Sequence, residues 1–468
     1  MGDTRGVRVL KFGGTSVGDA DAIERLAGVV RERSTDGAVV VVSAMSGTTN
    51  TLLDIADQSA RGHLIVALRL VEGIRERHLR AATRLLEPGV AQDELCAELS
   101  ASCDELASLA EALSVLGHLT PRSEDAIASF GELLSSTLVT AALQARSLPA
   151  KLFDAREIII TDDSFTRAAP LVDTIVREAR RLLLPELREG VLPVMGGYVG
   201  ATASGVTTTL GRGGSDYSAS LVGTALEVDA IEIWTDVDGM LTGDPRVVEG
   251  ARLIEHIRFD EASELASFGA KVLHPSTIAP AIRHGIPVFI YNSRAPHGCG
   301  TRITAEAPRR DVTAVAGKKQ VTLLKIRSPR MLLAHGLLRR IFEAFERHRV
   351  SVDVVATSEV SLSVTMDDAT HLEDLVVDLV PFGDVVVERD RAVLAVVGSG
   401  LKGTGRALAR ILGSLGEIEV HMLSLSASEI NLTLVVDGDQ MEPALRRLHA
   451  EFFGAQAGGT TPTTGAAS

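Results

Sequence analysis

Lys11 follows the apolar run at residues 7–10 and opens the string KFGGTSVGD, residues 11–19. A lysine and a glycine pair at the end of a strand make a loop that can handle phosphate. Gly13 and Gly14 carry no Cβ, so backbone N–H groups can approach phosphate oxygens closely, and the lysine adds a mobile point charge. Because the lysine precedes the glycines, the loop lacks the GxxxxGK[ST] spacing of a Walker-type P-loop. A second loop, TLGRGGSDYSAS at 209–220, has three glycines and then Ser215-Asp216 at a helix start. Such a helix N-terminus is a natural anion site. Read alone it is equally an ordinary glycine turn with Asp216 as its cap. Arg212 and Asp216 bracket the glycines and tilt the reading toward chemistry: an arginine grips a carboxylate, and a carboxylate orients an ammonium or a metal.

Two further strings carry polar groups. WTDVDGMLTGDPR, residues 234–246, runs from a strand into Asp-Gly and Asp-Pro turns, and by itself reads as an acidic, turn-rich loop. SFGAKVLHP, residues 267–275, places Lys271 in an apolar, helical context. A lone helix lysine is usually a solvated one; only the company of the other loops gives this one interest.

The elements that must position these loops follow from the apolar spacing. A first strand leads through KFGGTS into a helix at 20–33, and a second strand at 38–42 ends in the polar loop SAMSGTTN, 43–50. Residues 52–116 have helical spacing and dense charge, an all-helical excursion. Helix and strand then alternate: helix 130–145, strand 150–154, the run 157–161, helix 171–184, strand 192–196, a glycine loop, helix 216–226 and strand 230–235. This order predicts an α/β fold, a mostly parallel sheet sandwiched by helices, with sites beyond the carboxyl ends of the strands.

Composition narrows the class. The chain has 468 residues, 45% hydrophobic but only 3% aromatic, so the cores must be aliphatic and more than one domain is expected. A formal charge of −14 argues against nucleic acid, which demands a cationic surface. Anionic substrates must be held by local cations. Cys96, Cys103 and Cys299 form no CxxC and no even set, and are expected as free thiols. The first residues lack an apolar signal core, and the apolar runs are strand-length. A soluble, cytoplasmic protein without membrane partners is expected.

A charged, proline-containing stretch, TAEAPRR at 304–310, marks a linker candidate, and an internal repeat follows it. SEVSLSVTMD at 358–367 recurs as SEINLTLVVD at 428–437, about 70 residues later. Each copy is preceded by a strand, a helix (337–347 and 406–415) and a second strand. This resembles tandem ACT domains, α+β (βαββαβ) units that sense amino acids. The boundaries expected are 1–305 for the catalytic domain, 306–454 for the repeat and 455–468 for a disordered tail rich in Gly, Thr and Ala.

KFGGTSVGD, SFGELLSS (129–136), GRGGSDYSAS, WTDVDGMLTGDPR and SFGAKVLHP stand in the order and approximate spacing found in aspartate kinases of the amino-acid kinase family. The chain is identified as a member on these five strings together, and is most similar to the monofunctional, lysine-sensitive type. The resemblance implies an ATP- and Mg²⁺-dependent kinase making 4-phospho-L-aspartate, the entry to lysine, threonine and methionine, with the ion held mainly through the nucleotide phosphates. By the same resemblance Lys11 and Asp216 are catalytic. Ser43, Thr49, Glu132 and Arg212 hold aspartate: Glu132 takes its α-ammonium and Arg212 its carboxylate. Lys11, Gly13, Gly14, Thr235, Asp236, Arg246 and Lys271 hold the nucleotide. Leu241 stands where many relatives have Tyr, which leaves an aromatic contact to the nucleotide in doubt.

The resemblance also implies an effector site in the first ACT-like unit, at Met331, Gly336, Leu337, Val352, Asp353, Ser358 and Glu359. Asp353 or Glu359 could pair a cationic side chain, which favours lysine over threonine. The alternative is that these are ordinary turn and strand-edge residues. ACT units pair edge to edge, so a homodimer or a dimer of dimers is expected. Phosphorylation of glutamate or acetylglutamate is the alternative reaction, and a sensor without catalysis the alternative class. Gly398, Gly400 and Gly403 spell GxGxxG after the strand 392–397, but only about 65 residues follow, too few for a dinucleotide-binding domain and a catalytic one.

Overall fold

The computed structural model describes residues 6–268, 277–329, 335–367, 370–401 and 405–454. The chain divides into two compact units: Met1–Met240 with Val272–Ala307, and Leu241–Lys271 with Pro308–Ser468.

The first unit is built on a sheet whose strands run in the order Ala150–Phe153, Leu192–Gly196, Ala38–Val42, Arg8–Phe12, Ala230–Thr235, Val288–Asn292 and Thr301–Thr304. The neighbours are parallel through Val288–Asn292, and the last strand is antiparallel to it. Ala38–Val42 reads AVVVV and is buried at every position, as a strand covered on both faces must be. Arg8–Phe12 is central: the chain goes from it to Ala38–Val42 on one side and pairs with Ala230–Thr235 on the other. That reversal is a topological switch point, where a crevice opens at the carboxyl ends.

Helices fill both faces. Asp19 caps Ala20–Arg33 by accepting the Ala22 N–H, and Arg31 and Arg33 in the last turn complement the dipole. The excursion resolves into Thr48–Ala60, Leu64–Leu85 and Val90–Leu116, which share one aliphatic core with the sheet. The stretch Pro121–Ala145 is long and apolar enough to cross a membrane by composition, which the strand-length runs did not suggest. It is mostly buried inside the fold, so its apolar character belongs to the core. The helix expected to end at 184 continues as Val172–Arg188 through Pro185. Proline there has no N–H to give to the carbonyl four residues back, so one rung of the helix is missing near its end.

The second unit carries an antiparallel six-stranded sheet in the order Val355–Thr357, Ser361–Met366, Ala314–Arg327, Asp384–Val397, Asn431–Asp437 and Met422–Leu425. The repeated strings supply the matching strands Ser361–Met366 and Asn431–Asp437. The helices Leu337–Arg347 and Gly405–Leu415 cover separate aliphatic cores. Ala314–Arg327 and Asp384–Val397 are each 14 residues long and run through both copies. The second strand before the string at 428–437 is Met422–Leu425, antiparallel to Asn431–Asp437.

The segment from Leu241, read as part of a contiguous catalytic domain to 305, packs in the second unit instead. Thr242 accepts the Val315 N–H and its hydroxyl meets His449 Nε2 at 3.0 Å. Buried Glu261 accepts the Thr313 hydroxyl and the Ser399 N–H, and Glu264 accepts the Asn431 amide. Gly398 and Gly400 lie against the chain at Asp311, where a Cβ would stand 2.3 and 2.4 Å from its backbone. These glycines serve close packing of the strand end. Gly403 lies outside the described residues.

Candidate active site

The carboxyl ends of the parallel strands open on a cleft of about 760 Å³. Lys11 and Gly13–Gly14 enter it from the first strand, Ser43 to Asn50 from the second, Tyr198 from the loop after Leu192–Gly196, and Thr235 and Asp236 from Ala230–Thr235. Arg212 and Asp216 arrive on the glycine loop and the helix Gly214–Leu226, with Gly213 as N-cap in the left-handed region at φ 71°.

The loops are seated on backbone. Gly13 donates to the Trp234 carbonyl at 3.0 Å, Ser43 to Phe12 at 3.0 Å and Ser46 to Gly14 at 3.0 Å. A Cβ on Gly14 would stand 2.8 Å from the Ala44 carbonyl, so the phosphate loop and the loop after the second strand touch only because residue 14 is glycine. Trp234 is fully buried and stacks between Phe12 and Tyr291, which fixes the strand end that carries Thr235.

Lys11 Nζ lies 2.6 Å from Asp216 Oδ1, and both side chains are nearly buried. Glu132 enters from Phe130–Ala145, a helix buried almost all round. It is 3% exposed; its Oε1 accepts the Ala44 N–H at 3.1 Å, while its Oε2 is buried without a hydrogen-bond partner. Burial pushes the Glu132 carboxyl up to about 8, against the pull of the Ala44 N–H and the Lys11 charge. A buried carboxyl with one free oxygen is costly unless a donor arrives. Glu132 Oε2 is therefore open to a donor within the cleft.

The cleft therefore gathers Lys11, Gly13, Gly14, Ser43, Thr49, Glu132, Arg212, Asp216, Thr235 and Asp236, which lie on separate strings of the sequence and are the residues to which the resemblance gives substrate roles. Arg246 belongs to the second unit, where it is exposed and chelates Asp244. Lys271 and Met331 lie outside the described residues. Leu241 forms an isolated bridge with Leu253 inside the second unit.

Glu124, Thr166 and Tyr198 also line the cleft and were not foreseen. Tyr198 sits in the left-handed region at φ 63° and donates its N–H to Ser218 Oγ; the preceding glycine pair in MGGYVG was the only signal. Thr166, at φ 67°, donates its N–H to buried Asp125, which also accepts the Thr209 N–H and hydroxyl. In sequence Asp125 looks like one more surface acid of PRSED.

Comparison with known proteins matches this geometry. The family model described as the amino acid kinase family fits residues 6–292, and an ACT domain model fits residues 394–452. The lysine-sensitive aspartokinase 3 of Escherichia coli is 37% identical over 95% of this chain and 99% of its own length. The chain belongs to the aspartokinases of the amino acid kinase family. A chloroplastic aspartokinase 3 of Arabidopsis thaliana is 38% identical over 95% of this chain and 81% of its own length. Among solved structures, Escherichia coli aspartokinase III in complex with aspartate and ADP, the R-state, superposes with a TM-score of 0.82 at 37% identity, covering 96% of this chain and 100% of that one. The same enzyme with lysine and aspartate, the T-state, gives 0.81 at 36% identity over 96% and 100%. The family thus holds over both units, ACT portion included.

Proposed function

We propose that the protein transfers the γ-phosphoryl group of ATP to the side-chain carboxylate of L-aspartate, giving 4-phospho-L-aspartate and ADP, the first step toward lysine, threonine and methionine. The observation that carries this reading is the Glu132 carboxyl, buried with Oε2 unpartnered in the same cleft as the Lys11–Asp216 pair. An α-ammonium group supplies the missing donor, and the Coulomb attraction returns Glu132 to its ionised form as the ligand binds. In this reading Arg212, an exposed residue of the cleft lining, takes the α-carboxylate, and the polar Ser43 and Thr49 complete the pocket.

The chemistry asks little of a general base. An aspartate side chain is a carboxylate at neutral pH and already nucleophilic. One of its oxygens forms the new O–P bond as the bond to the β-phosphate oxygen breaks, and the electron pair leaves on ADP. The protein supplies alignment and neutralisation of the phosphoryl oxygens. Lys11, held by Asp216 in the cleft lining, does the second, and Gly13 and Gly14 let the backbone approach. Thr235 and Asp236 flank the nucleotide side. Asp236, a carboxylate lining the same cleft, would help hold an oxygen-liganded cation such as Mg²⁺, itself held mainly through the nucleotide phosphates. Bound there, Mg²⁺ supplies further neutralisation of phosphate charge.

Lysine is the proposed effector, at Met331, Gly336, Leu337, Val352, Asp353, Ser358 and Glu359. Gly336 caps Leu337–Arg347 in the left-handed region at φ 77°, and Ser358 and Glu359 are exposed on the turn before Ser361–Met366. Desolvation pushes Asp353 up to about 6, helped by the charge of Asp367 and a hydrogen bond to it, against Lys318. Lys318 pairs with Asp367, so in this reading it is Asp353 that is left to meet a cationic ligand. The second copy of the repeat is differently engaged: Ser428 and Asn431 both donate to Glu264. Inhibition then requires that lysine prefer one arrangement of the protein over another. A homodimer or dimer of dimers through the ACT units, in the cytoplasm, completes the reading. The test is acyl-phosphate formation from ATP and aspartate, trapped as the hydroxamate; a folded protein that forms none refutes the reaction.

A further inference from the structure

Arg77 lies on Leu64–Leu85, within the helical excursion that no motif covers. Its Nη1 donates to the Ser46 carbonyl at 2.6 Å and its Nη2 to the Gly18 carbonyl at 2.8 Å. Ser46 belongs to the loop with Ser43 and Thr49; Gly18 ends the phosphate loop, directly before the Asp19 cap. One guanidinium therefore joins the aspartate-side loop to the nucleotide-side loop. We propose that Arg77 is a positioning residue for phosphoryl transfer, holding the two substrate loops in one register.

Three observations support this. Neighbouring arginines of the same helix pair with acids, Arg75 with Glu72 and Asp104 and Arg84 with Asp21, whereas Arg77 meets no carboxylate within ion-pair distance among the described residues. Its hydrogen bonds to loop carbonyls are therefore free of a competing acid. The helix cannot rotate away, because its other face, including His78 next to Arg77, is buried, and the His78 ring is tied at Nδ1 to the Ile74 carbonyl at 2.7 Å. The loops already touch at their inner end, where Ser46 donates to the Gly14 carbonyl and Gly14 has no room for a Cβ against Ala44. Arg77 closes the outer end, so the two contacts together leave the loops no hinge. A planar fork can reach two carbonyls at once; a lysine in its place is a single, shorter point donor. Misplacement of reacting groups by about 1 Å can cost on the order of 10²-fold in rate.

The proposal rests on the phosphotransfer reading of the cleft, and its test separates the two. Turnover of wild type, Arg77→Met and Arg77→Lys is measured by hydroxamate trapping, alongside thermal melting and amide exchange at Ser46. The expected result is a folded Arg77→Met with kcat down by about 10²-fold and KM values changed less, little recovery in Arg77→Lys, faster Ser46 exchange, and partial rescue of Arg77→Ala by methylguanidinium. Wild-type kcat per folded molecule in Arg77→Met, or unchanged Ser46 exchange, overturns it. A wild type inactive on aspartate refutes the reaction instead, and the exchange measurement still decides whether Arg77 orders the loops.

Discussion

Lys11 and Asp216 are 205 residues apart in sequence and 2.6 Å apart in space. Each lies in its own glycine-rich loop, one at the end of the central strand, the other at a helix start. Their contact puts a fixed cation at the topological switch point of the sheet.

Removing either partner should leave the fold and abolish the chemistry. Lys11→Ala and Asp216→Ala are expected to melt near wild type and to lose at least 10²–10³ in turnover, about 2.7–4 kcal/mol of transition-state stabilisation. Steady-state kinetics on folded protein checks this. Near-normal turnover in either variant removes that residue from the mechanism.

Glu132 makes a pH prediction with a definite sign. Its carboxyl is raised from 4.5 to about 8 by burial, so between these values the native state holds a proton the unfolded state has lost. Its contribution to stability is complete below about 4.5 and is lost as pH rises through about 8. Glu132→Gln cannot ionise and should melt higher than wild type at pH 8–9, with the difference vanishing toward pH 4.5, while the KM for aspartate rises at least tenfold. Melting curves that run parallel across that range contradict the buried, uncompensated carboxyl.

Gly196 tests how tightly that carboxyl is held. A Cβ there would lie 2.9 Å from the Glu132 Cβ and 3.4 Å from its backbone. Gly196→Ala must displace Glu132, so aspartate affinity should fall while nucleotide affinity, measured by ADP titration, stays near wild type. Equal loss of both would mean that the whole sheet end has shifted.

The effector site predicts a separation of functions. Glu359→Ala should weaken inhibition by lysine and spare uninhibited turnover, because Glu359 lies on the exposed turn of the first repeat and outside the cleft. Inhibition curves with lysine and with threonine read it directly. An unchanged lysine curve removes Glu359 from the site.

The sequence was most legible where chemistry demands special residues. Lys11, Gly14, Arg212 and Asp216 announced themselves by glycines beside charges, and the parallel sheet by runs such as AVVVV. Glu132 was legible only through the resemblance, since nothing in SFGELLSS shows that its carboxylate is buried with a free oxygen. Tyr198, Thr166 and Asp125 escaped because their importance lies in backbone angle and in partners 41 and 84 residues away, which no local pattern encodes. The same holds for Leu241 and the segment after it. Its turn residues read as an extension of the nucleotide loop, yet Thr242 meets His449, Glu261 accepts from Thr313, and Glu264 accepts from Asn431, which ties the segment into the second unit.

The most direct measurement is ATP-dependent acyl-phosphate formation on aspartate and on glutamate, trapped with hydroxylamine, with and without lysine and threonine. Hydroxamate from aspartate but not glutamate, suppressed by lysine, is the predicted result. No product from aspartate, in a folded protein that still binds lysine, would contradict the account and leave an amino-acid sensor without chemistry.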